Sequence, residues 1–248
     1  MDALLANAGP GFDGLTREGI RIAGSLPPGR TARLLRGTID EARWKALSGE
    51  EAAHDALRKD LSEMASDLHF EPLHEAPVPV GFPAPTPIHE VEHKHYPAYR
   101  MATTSSRGAF GRLFRHIQSN DIPMTAPVEM TFDQENERPQ EVAMAFLYES
   151  LDQGATGPGR GVEVVDVPAQ DVVSIGLRGR IGNDRIAAAA ALLESWLDAR
   201  PDLEPAGALR VFGYNSPMVP AGRKLSEVQL PVRRTPGFAE SDAPSGAE

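Results

Sequence analysis

The chain has 248 residues, 41% of them hydrophobic, and a formal net charge of −10, which allows one large or two small domains with a buried core. An acidic chain is repelled by nucleic acid phosphates and by anionic lipid, so neither is expected as a general partner. The absence of cysteine excludes disulfides, thiolate metal sites and cysteine nucleophiles.

The sequence lacks the signals of membrane insertion and export. No apolar run approaches the roughly 18 residues that a membrane-spanning helix requires. The first residues, MDALLANAGPGFDG, show no basic segment followed by an apolar one, so we expect no signal peptide, although a leader could have been removed. A soluble, cytoplasmic protein is therefore expected.

The N-terminal region, residues 1–70, is expected to form a helical hairpin after an irregular start. Residues 1–28 are rich in glycine and proline, which favours irregular structure apart from a short turn. Two amphipathic helices are predicted next, and the second carries apolar residues at helical spacing from Leu57 through Leu61 and Met64 to Leu68.

A proline-rich segment, residues 71–87, follows the hairpin. It holds six prolines, which fix φ and lack an amide N–H, so neither a helix nor a central strand is expected. Two interpretations remain open, namely an extended linker and a strap that packs along the next domain.

The next region, residues 88–234, reads as α+β. The order strand, helix, strand, strand is predicted over 88–149 and again over 162–233, and Pro168 is expected to bend or divide the first strand of the second half. Two such halves can pair into one barrel-like antiparallel sheet with a helix packed on each half, which leaves a groove suited to a ligand. A disordered tail is expected over 235–248.

Four sequence segments resemble the SOUL haem-binding protein family over roughly residues 88–233. They are YPAYRMA at 96–102, FGRLFRHIQSN at 110–120, IPMTAPVEM at 122–130 and VFGYNSPMVPAGRKLSEVQLPV at 211–232. The resemblance implies a twisted antiparallel β-barrel of two pseudo-symmetric halves, which is the architecture that the pattern predicts. It also implies reversible, non-covalent binding of haem or a related tetrapyrrole in an apolar groove beside the first helix of the barrel.

The expected groove combines apolar and charged side chains. Its apolar candidates are Phe110, Leu113, Phe114, Ile117, Met124 and Met130. Arg112 and Arg115 are candidates for the haem propionates, because guanidinium groups form paired hydrogen bonds with carboxylates; an ordinary charged helix face is the alternative. Glu227 could lie in the groove as an unpaired carboxylate of raised pKa, or it could face solvent.

Three histidines are candidate ligands of the haem iron. His93 and His95 share one face of the first predicted strand, and His116 lies at the edge of the apolar face of the first barrel helix. Solvated histidines are the alternative in each case. No HExxH helix is present to indicate a zinc hydrolase.

We therefore expect a binding protein for haem, another tetrapyrrole or an apolar small molecule, acting in transport, buffering or sensing. The sequence contains no nucleophile elbow, phosphate-binding loop or dinucleotide fingerprint. Two alternatives remain. One is an enzyme acting on a tetrapyrrole or other small ligand, such as a hydrolase or dechelatase. The other is a protein-interaction module without a small ligand, whose protein partner the sequence does not name.

Overall fold

The structure is a computed structural model that describes residues 11–26, 29–47, 53–134 and 139–237. The chain divides into two compact units, Met1–Glu71 and Pro72–Glu248. No helix within the described ranges is both long enough and apolar enough to cross a membrane.

The N-terminal unit contains three helices in its described residues. They are α1 (Phe12–Ser25), α2 (Arg30–Leu47) and α3 (Ala53–Leu68). Their inward faces form one apolar cluster, whose largest fully buried side chains are Leu15, Leu35, Ile39, Leu57 and Leu61. Residues 48–52 of the second predicted helix lie outside the described residues.

Irregular structure was predicted over residues 1–28, and helix α1 overturns that prediction for Phe12–Ser25, whereas residues 1–10 and 27–28 lie outside the described residues. Leu15, Gly19 and Ala23 are buried at a spacing of four residues, so this segment presents one apolar stripe to a helical core. Glycine lowers helix propensity by about 1 kcal/mol, and burial of the stripe outweighs that cost.

The C-terminal unit is built on one large antiparallel sheet with two helices. Its elements are β1 (Val91–Tyr96), β2 (Tyr99–Ser105), α4 (Ala109–Ser119), β3 (Val128–Asp133), β4 (Gln140–Leu147), β5 (Gly157–Pro158), β6 (Glu163–Val167), β7 (Gln170–Arg178), α5 (Asn183–Asp198), β8 (Leu203–Pro205), β9 (Leu209–Gly213) and β10 (Leu225–Arg234). A short 3₁₀ turn, Ala221–Arg223, precedes β10.

The strand order is β1-β7-β10-β9-β3-β4-β2-β6-β5, with β8 paired to β10. The two halves of the unit are β1-β2-α4-β3-β4 and β6-β7-α5-β9-β10. If each of the eight main strands is replaced by its counterpart in the other half, the same strand order is read in the opposite direction. The predicted repeat is therefore present. The path ends at β1 and β5, so the described pairings form an open sheet rather than a closed barrel. The fold is therefore α+β with a large antiparallel sheet.

Each half begins with two strands rather than the one predicted for the first half. Pro97 follows β1 and has no amide N–H to continue a ladder. Strand β1 pairs with β7, whereas β2 pairs with β4 and β6. Pro168 likewise separates β6 from β7, which is one of the two arrangements expected there.

Both helices pack on the same face of the sheet. Val128 packs against the cluster that contains Leu113 of α4, and Met130 packs against the cluster that contains Leu193 of α5. Because alternate residues of a strand share a face, α4 and α5 cover one side together.

Residues 72–87, here called the strap, pack along the sheet as the second interpretation of the proline-rich segment predicts. The amide of Val80 donates to Glu149 O (2.8 Å), and Pro77 O accepts from the amide of Ala126 (2.9 Å). The ring of Phe82 lies 4.8 Å from that of Tyr96 and 6.4 Å from that of Phe212, centroid to centroid. The strap thus covers part of the face that the helices leave open. Of the predicted disordered tail, only residues 235–237 lie within the described ranges.

Candidate ligand-binding site

An apolar cavity of about 450 Å³ lies beside α4, on the helix-bearing face of the sheet. Phe110 and Phe114 form one wall, and the segment Met124–Ala126 with Val128 and Met130 forms its base. Strap residues 75–77 and the turn 213–217 complete the lining. A mainly apolar cavity of this size is typical of small-molecule sites.

The aromatic wall is unusual because both rings remain partly in solvent. Phe110 is 46% exposed and Phe114 is 39% exposed, and their rings stack 6.0 Å apart at 12°. The neighbouring apolar residues of the helix, Leu113 and Ile117, are instead buried in the core at 0% and 3% exposure. Four predicted groove residues, the two phenylalanines and the two methionines, therefore line the cavity, whereas Leu113 and Ile117 hold α4 on the sheet.

The cavity base is fixed by hydrogen bonds from the IPMTAPVEM segment to β4 and to the strap. Thr125 Oγ1 donates to Leu147 O at 2.6 Å, which joins the segment to the end of β4. The amide of Ala126 donates to Pro77 O of the strap. Met124 and Met130 therefore present their flexible thioethers to the cavity from an anchored backbone.

Two of the cavity walls are joined by a clasp that the sequence analysis did not identify. The carboxylate of Glu75 accepts hydrogen bonds from Ser216 N (2.7 Å) and Ser216 Oγ (3.0 Å), and Leu73 O accepts from Asn215 Nδ2 (2.7 Å). The hydrogen bond from the Ser216 amide holds the pKa of Glu75 below its usual value. The string YNSP at 214–217 was the sequence signal for this clasp, but its partners in the strap are about 140 residues away in the chain.

Glu227 lies outside the cavity, on the strap-covered face of the sheet. It is fully buried and accepts hydrogen bonds from Lys94 Nζ (2.6 Å), Tyr214 Oη (2.6 Å) and the Thr86 amide (2.5 Å). Burial by itself raises the pKa of Glu227, but the Lys94 ammonium and the donated hydrogen bonds outweigh burial and leave the pKa lowered. The expectation of an unpaired carboxylate with a raised pKa is therefore wrong, because Lys94 neutralises it.

The histidine candidates lie away from the cavity lining. On the strand pair β1 and β7, at the edge of the sheet, an Asp171 oxygen lies 2.7 Å from His95 Nδ1 and another lies 3.8 Å from His93 Nε2. No group of three potential metal-ligating side chains occurs among the described residues. These two histidines thus form a surface cluster with Asp171.

His116 faces the opposite side of α4 from the cavity. Its Nε2 lies 2.8 Å from Tyr148 Oη, and burial lowers the pKa of His116. Arg112 and Arg115 lie on that same side and, with His116, line a separate cleft. The structure therefore brings together four of the six predicted apolar residues in the cavity lining but separates them from the predicted propionate and iron ligands.

Solved structures with distant similarity to this chain include those of two proteins. The C-terminal domain of EcmrR is 14% identical, with a TM-score of 0.44 over 59% of this chain and 98% of that domain. An uncharacterised conserved protein from Listeria innocua is 11% identical, with a TM-score of 0.47 over 60% of this chain and 94% of that one. At these scores the similarities carry no argument about function. No curated protein matches the sequence significantly.

The family comparison covers most of the segments that line the cavity. The model of the SOUL haem-binding proteins matches residues 85–231, which is more than half of the chain. The match includes α4, the methionine-bearing cavity base and the turn 213–217. This family is described as one of haem-binding proteins, as the resemblance in the sequence indicated. The chain belongs to the SOUL family of haem-binding proteins.

Proposed function

We propose that this protein binds haem, or a related tetrapyrrole, non-covalently in the apolar cavity beside α4. The observation that carries the proposal is the pair of stacked, half-exposed rings of Phe110 and Phe114 at the mouth of a 450 Å³ cavity. Large apolar side chains left in solvent around a cavity mark a surface that a partner or ligand covers. A flat aromatic macrocycle matches such a wall in both shape and polarity.

Burial of apolar area is the main source of affinity in this proposal. The methionines of the base adapt their side chains to an irregular ligand surface, and the two phenylalanines supply a rigid wall. Specific recognition then rests on the few polar groups of the rim, namely the Glu75 carboxylate and the Asn215 and Ser216 side chains. This arrangement suits reversible loading, as transport, buffering or sensing requires.

Iron coordination has a secondary role in this proposal. None of the described residues that line the cavity is a histidine. Tyr214 lines it, but its hydroxyl donates to Glu227 at 2.6 Å, and burial, followed by the nearby Glu227 charge, raises the pKa of Tyr214 well above its usual value, so a phenolate ligand is disfavoured. The thioethers of Met124 and Met130 are the soft donors that face the cavity.

The test is a titration of the purified full chain with haemin, followed by the Soret absorbance. We expect saturation near one haem per chain. Met124→Leu and Met130→Leu preserve side-chain volume and remove sulfur, so a changed Soret position in one of them identifies an iron ligand. His93→Ala, His95→Ala and His116→Ala are the controls and are expected to leave the band unchanged.

Two outcomes would contradict the proposal. A broad, non-saturating spectrum that no variant changes would mean that haemin binds the surface non-specifically. A Soret shift abolished by a histidine variant, with the cavity variants unaffected, would move the site away from the cavity. Metal-free protoporphyrin, followed by fluorescence, separates macrocycle binding from iron binding, and we expect it to bind the same cavity.

A further inference from the structure

A second concave site lies on the other side of α4 and has the opposite chemical character. This cleft, of about 1010 Å³, is formed by the polar side of α4 and the β5–β6 segment, and its lining contains Arg112, Arg115, His116 and Arg160. No aspartate or glutamate is among its described lining residues. In a chain with 35 acidic and 25 basic residues, such a lining concentrates positive potential locally.

The positive charges of the cleft are not neutralised by neighbouring carboxylates. None of the guanidinium groups of Arg112, Arg115 and Arg160 forms an ion pair with a carboxylate of the described residues, whereas Arg100 on the nearby strand β2 pairs with Asp166 at 2.7 Å. The Nε of Arg115 donates to Gly111 O of its own helix, which leaves its terminal nitrogens available. Unpaired arginines around a concavity favour an anionic ligand.

One residue fixes both walls of the cleft. Thr104 Oγ1 accepts from Arg112 Nε (3.0 Å) and donates to Gly161 O (2.8 Å). Arg112 also donates to Arg107 O and Ser105 O, each at 2.5 Å. The guanidinium of Arg112 is therefore held in place by neutral acceptors and keeps its full charge beside the cleft, which is the pre-organisation that a binding site needs.

The remaining two arginines line the cleft from two different elements. Arg115 is on the helix and Arg160 is on the turn between β5 and β6, and both line the cleft. Gly157 and Gly159 line the cleft without side chains of their own, which leaves the room beside Arg160 to a ligand. Thr156, Ser119 and Asn120 add hydrogen-bonding groups to the lining.

From these features we infer that the cleft is a binding site for a small phosphorylated molecule, with a diphosphate group spanning Arg115 and Arg160. Guanidinium groups bind phosphate oxygens in pairs, and two of them on different elements match two linked phosphates. The cleft volume leaves room for an organic portion attached to the diphosphate. The site is separate from the apolar cavity and does not depend on haem.

The test is calorimetric titration of the full chain with inorganic pyrophosphate at low ionic strength. The cleft variant is Arg115→Gln/Arg160→Gln. Its matched control is Arg180→Gln/Arg234→Gln, which removes two exposed arginines elsewhere and lowers the net charge equally. We expect saturable one-to-one binding to the native chain, a loss of at least about tenfold in the cleft variant, and a change within about twofold in the control. Arg112 stays unchanged because it holds the cleft together.

Several results would overturn the inference. These are an absence of saturable binding, an equal loss in both double variants, and tighter binding of citrate than of pyrophosphate. The first two mean that only general charge attraction operates, and the third means that the site selects carboxylates. Haemin titration of the cleft variant keeps the two proposals apart, since we expect its Soret response to be unchanged.

Discussion

Removal of the aromatic wall tests the cavity most directly. In the variant Phe110→Ala/Phe114→Ala, haemin loses the two rings that it is proposed to cover. A phenylalanine side chain offers roughly 150–250 Å², so exposures of 46% and 39% leave roughly 170 Å² on the two rings together. At about 25 cal/mol per Å², covering that area is worth about 4 kcal/mol. Binding recovers only part of such area, so we expect a loss of about 2 kcal/mol, or about 30-fold in Kd.

The assay is a haemin titration at several protein concentrations, with thermal unfolding measured in parallel. The double variant is expected to unfold a few degrees lower, because Phe110 also packs edge-on against Phe146 with ring centroids 5.2 Å apart, and yet to remain folded at 25 °C. Leu192→Ala is the control, since Leu192 is a 55% exposed apolar residue on α5 that does not line the cavity. A folded double variant with native haemin affinity would refute the placement of the ligand against α4.

Three further predictions concern the strap and the buried charges. First, Gly176→Ala would place a Cβ 2.1 Å from Thr86 O. We therefore expect the strap to be displaced and the free energy of unfolding in denaturant to fall by more than about 3 kcal/mol. The control is Gly111→Ala, whose Cβ would meet nothing within 4 Å and which is expected to raise the free energy of unfolding by about 0.5–1 kcal/mol. Second, the lowered pKa of Glu227 gives a stability contribution that is complete above the unfolded value of about 4.3 and is lost as the pH falls through the folded pKa. In Lys94→Met we expect this acid dependence to disappear together with about 3–5 kcal/mol of stability, and an unchanged pH profile would mean that Lys94 does not set the charge of Glu227. Third, Glu75→Gln weakens the clasp to Ser216, so stopped-flow measurements should show faster haemin release than in the exposed-site control Glu163→Gln; equal release rates would exclude the clasp as a barrier to exit.

The sequence predicted those features that depend on local periodicity. The stripe of α4 located both the helix and its partly exposed phenylalanines, and the order of elements predicted two equivalent halves. The same stripe could not separate Leu113, which packs into the core, from Phe110. Helical periodicity identifies the apolar side of a helix, but it does not show how much of that side the sheet covers. Similarly, His93 and His95 were placed on one face of β1, where both are exposed, yet the cover over the opposite face, which carries Lys94, could not be predicted.

The features that were missed depend on contacts between distant residues. Lys94 and Glu227 are separated by 133 positions, and Glu75 and Ser216 by 141. Nothing in the neighbourhood of either residue in the sequence indicates its partner. The pairing becomes visible only when the strap and the strand order are known, and it is this pairing that removes Glu227 from the ligand site.

The clasp also has a consequence for biosynthesis. The cavity needs a wall from the beginning of the C-terminal unit and another from near its end, joined by Glu75 and Ser216. A nascent chain therefore lacks a complete cavity until the turn 213–217 has left the ribosome, at which point most of the sheet has already been synthesised. A ligand of the cavity therefore meets a chain whose sheet lacks only its last strand, β10 (Leu225–Arg234).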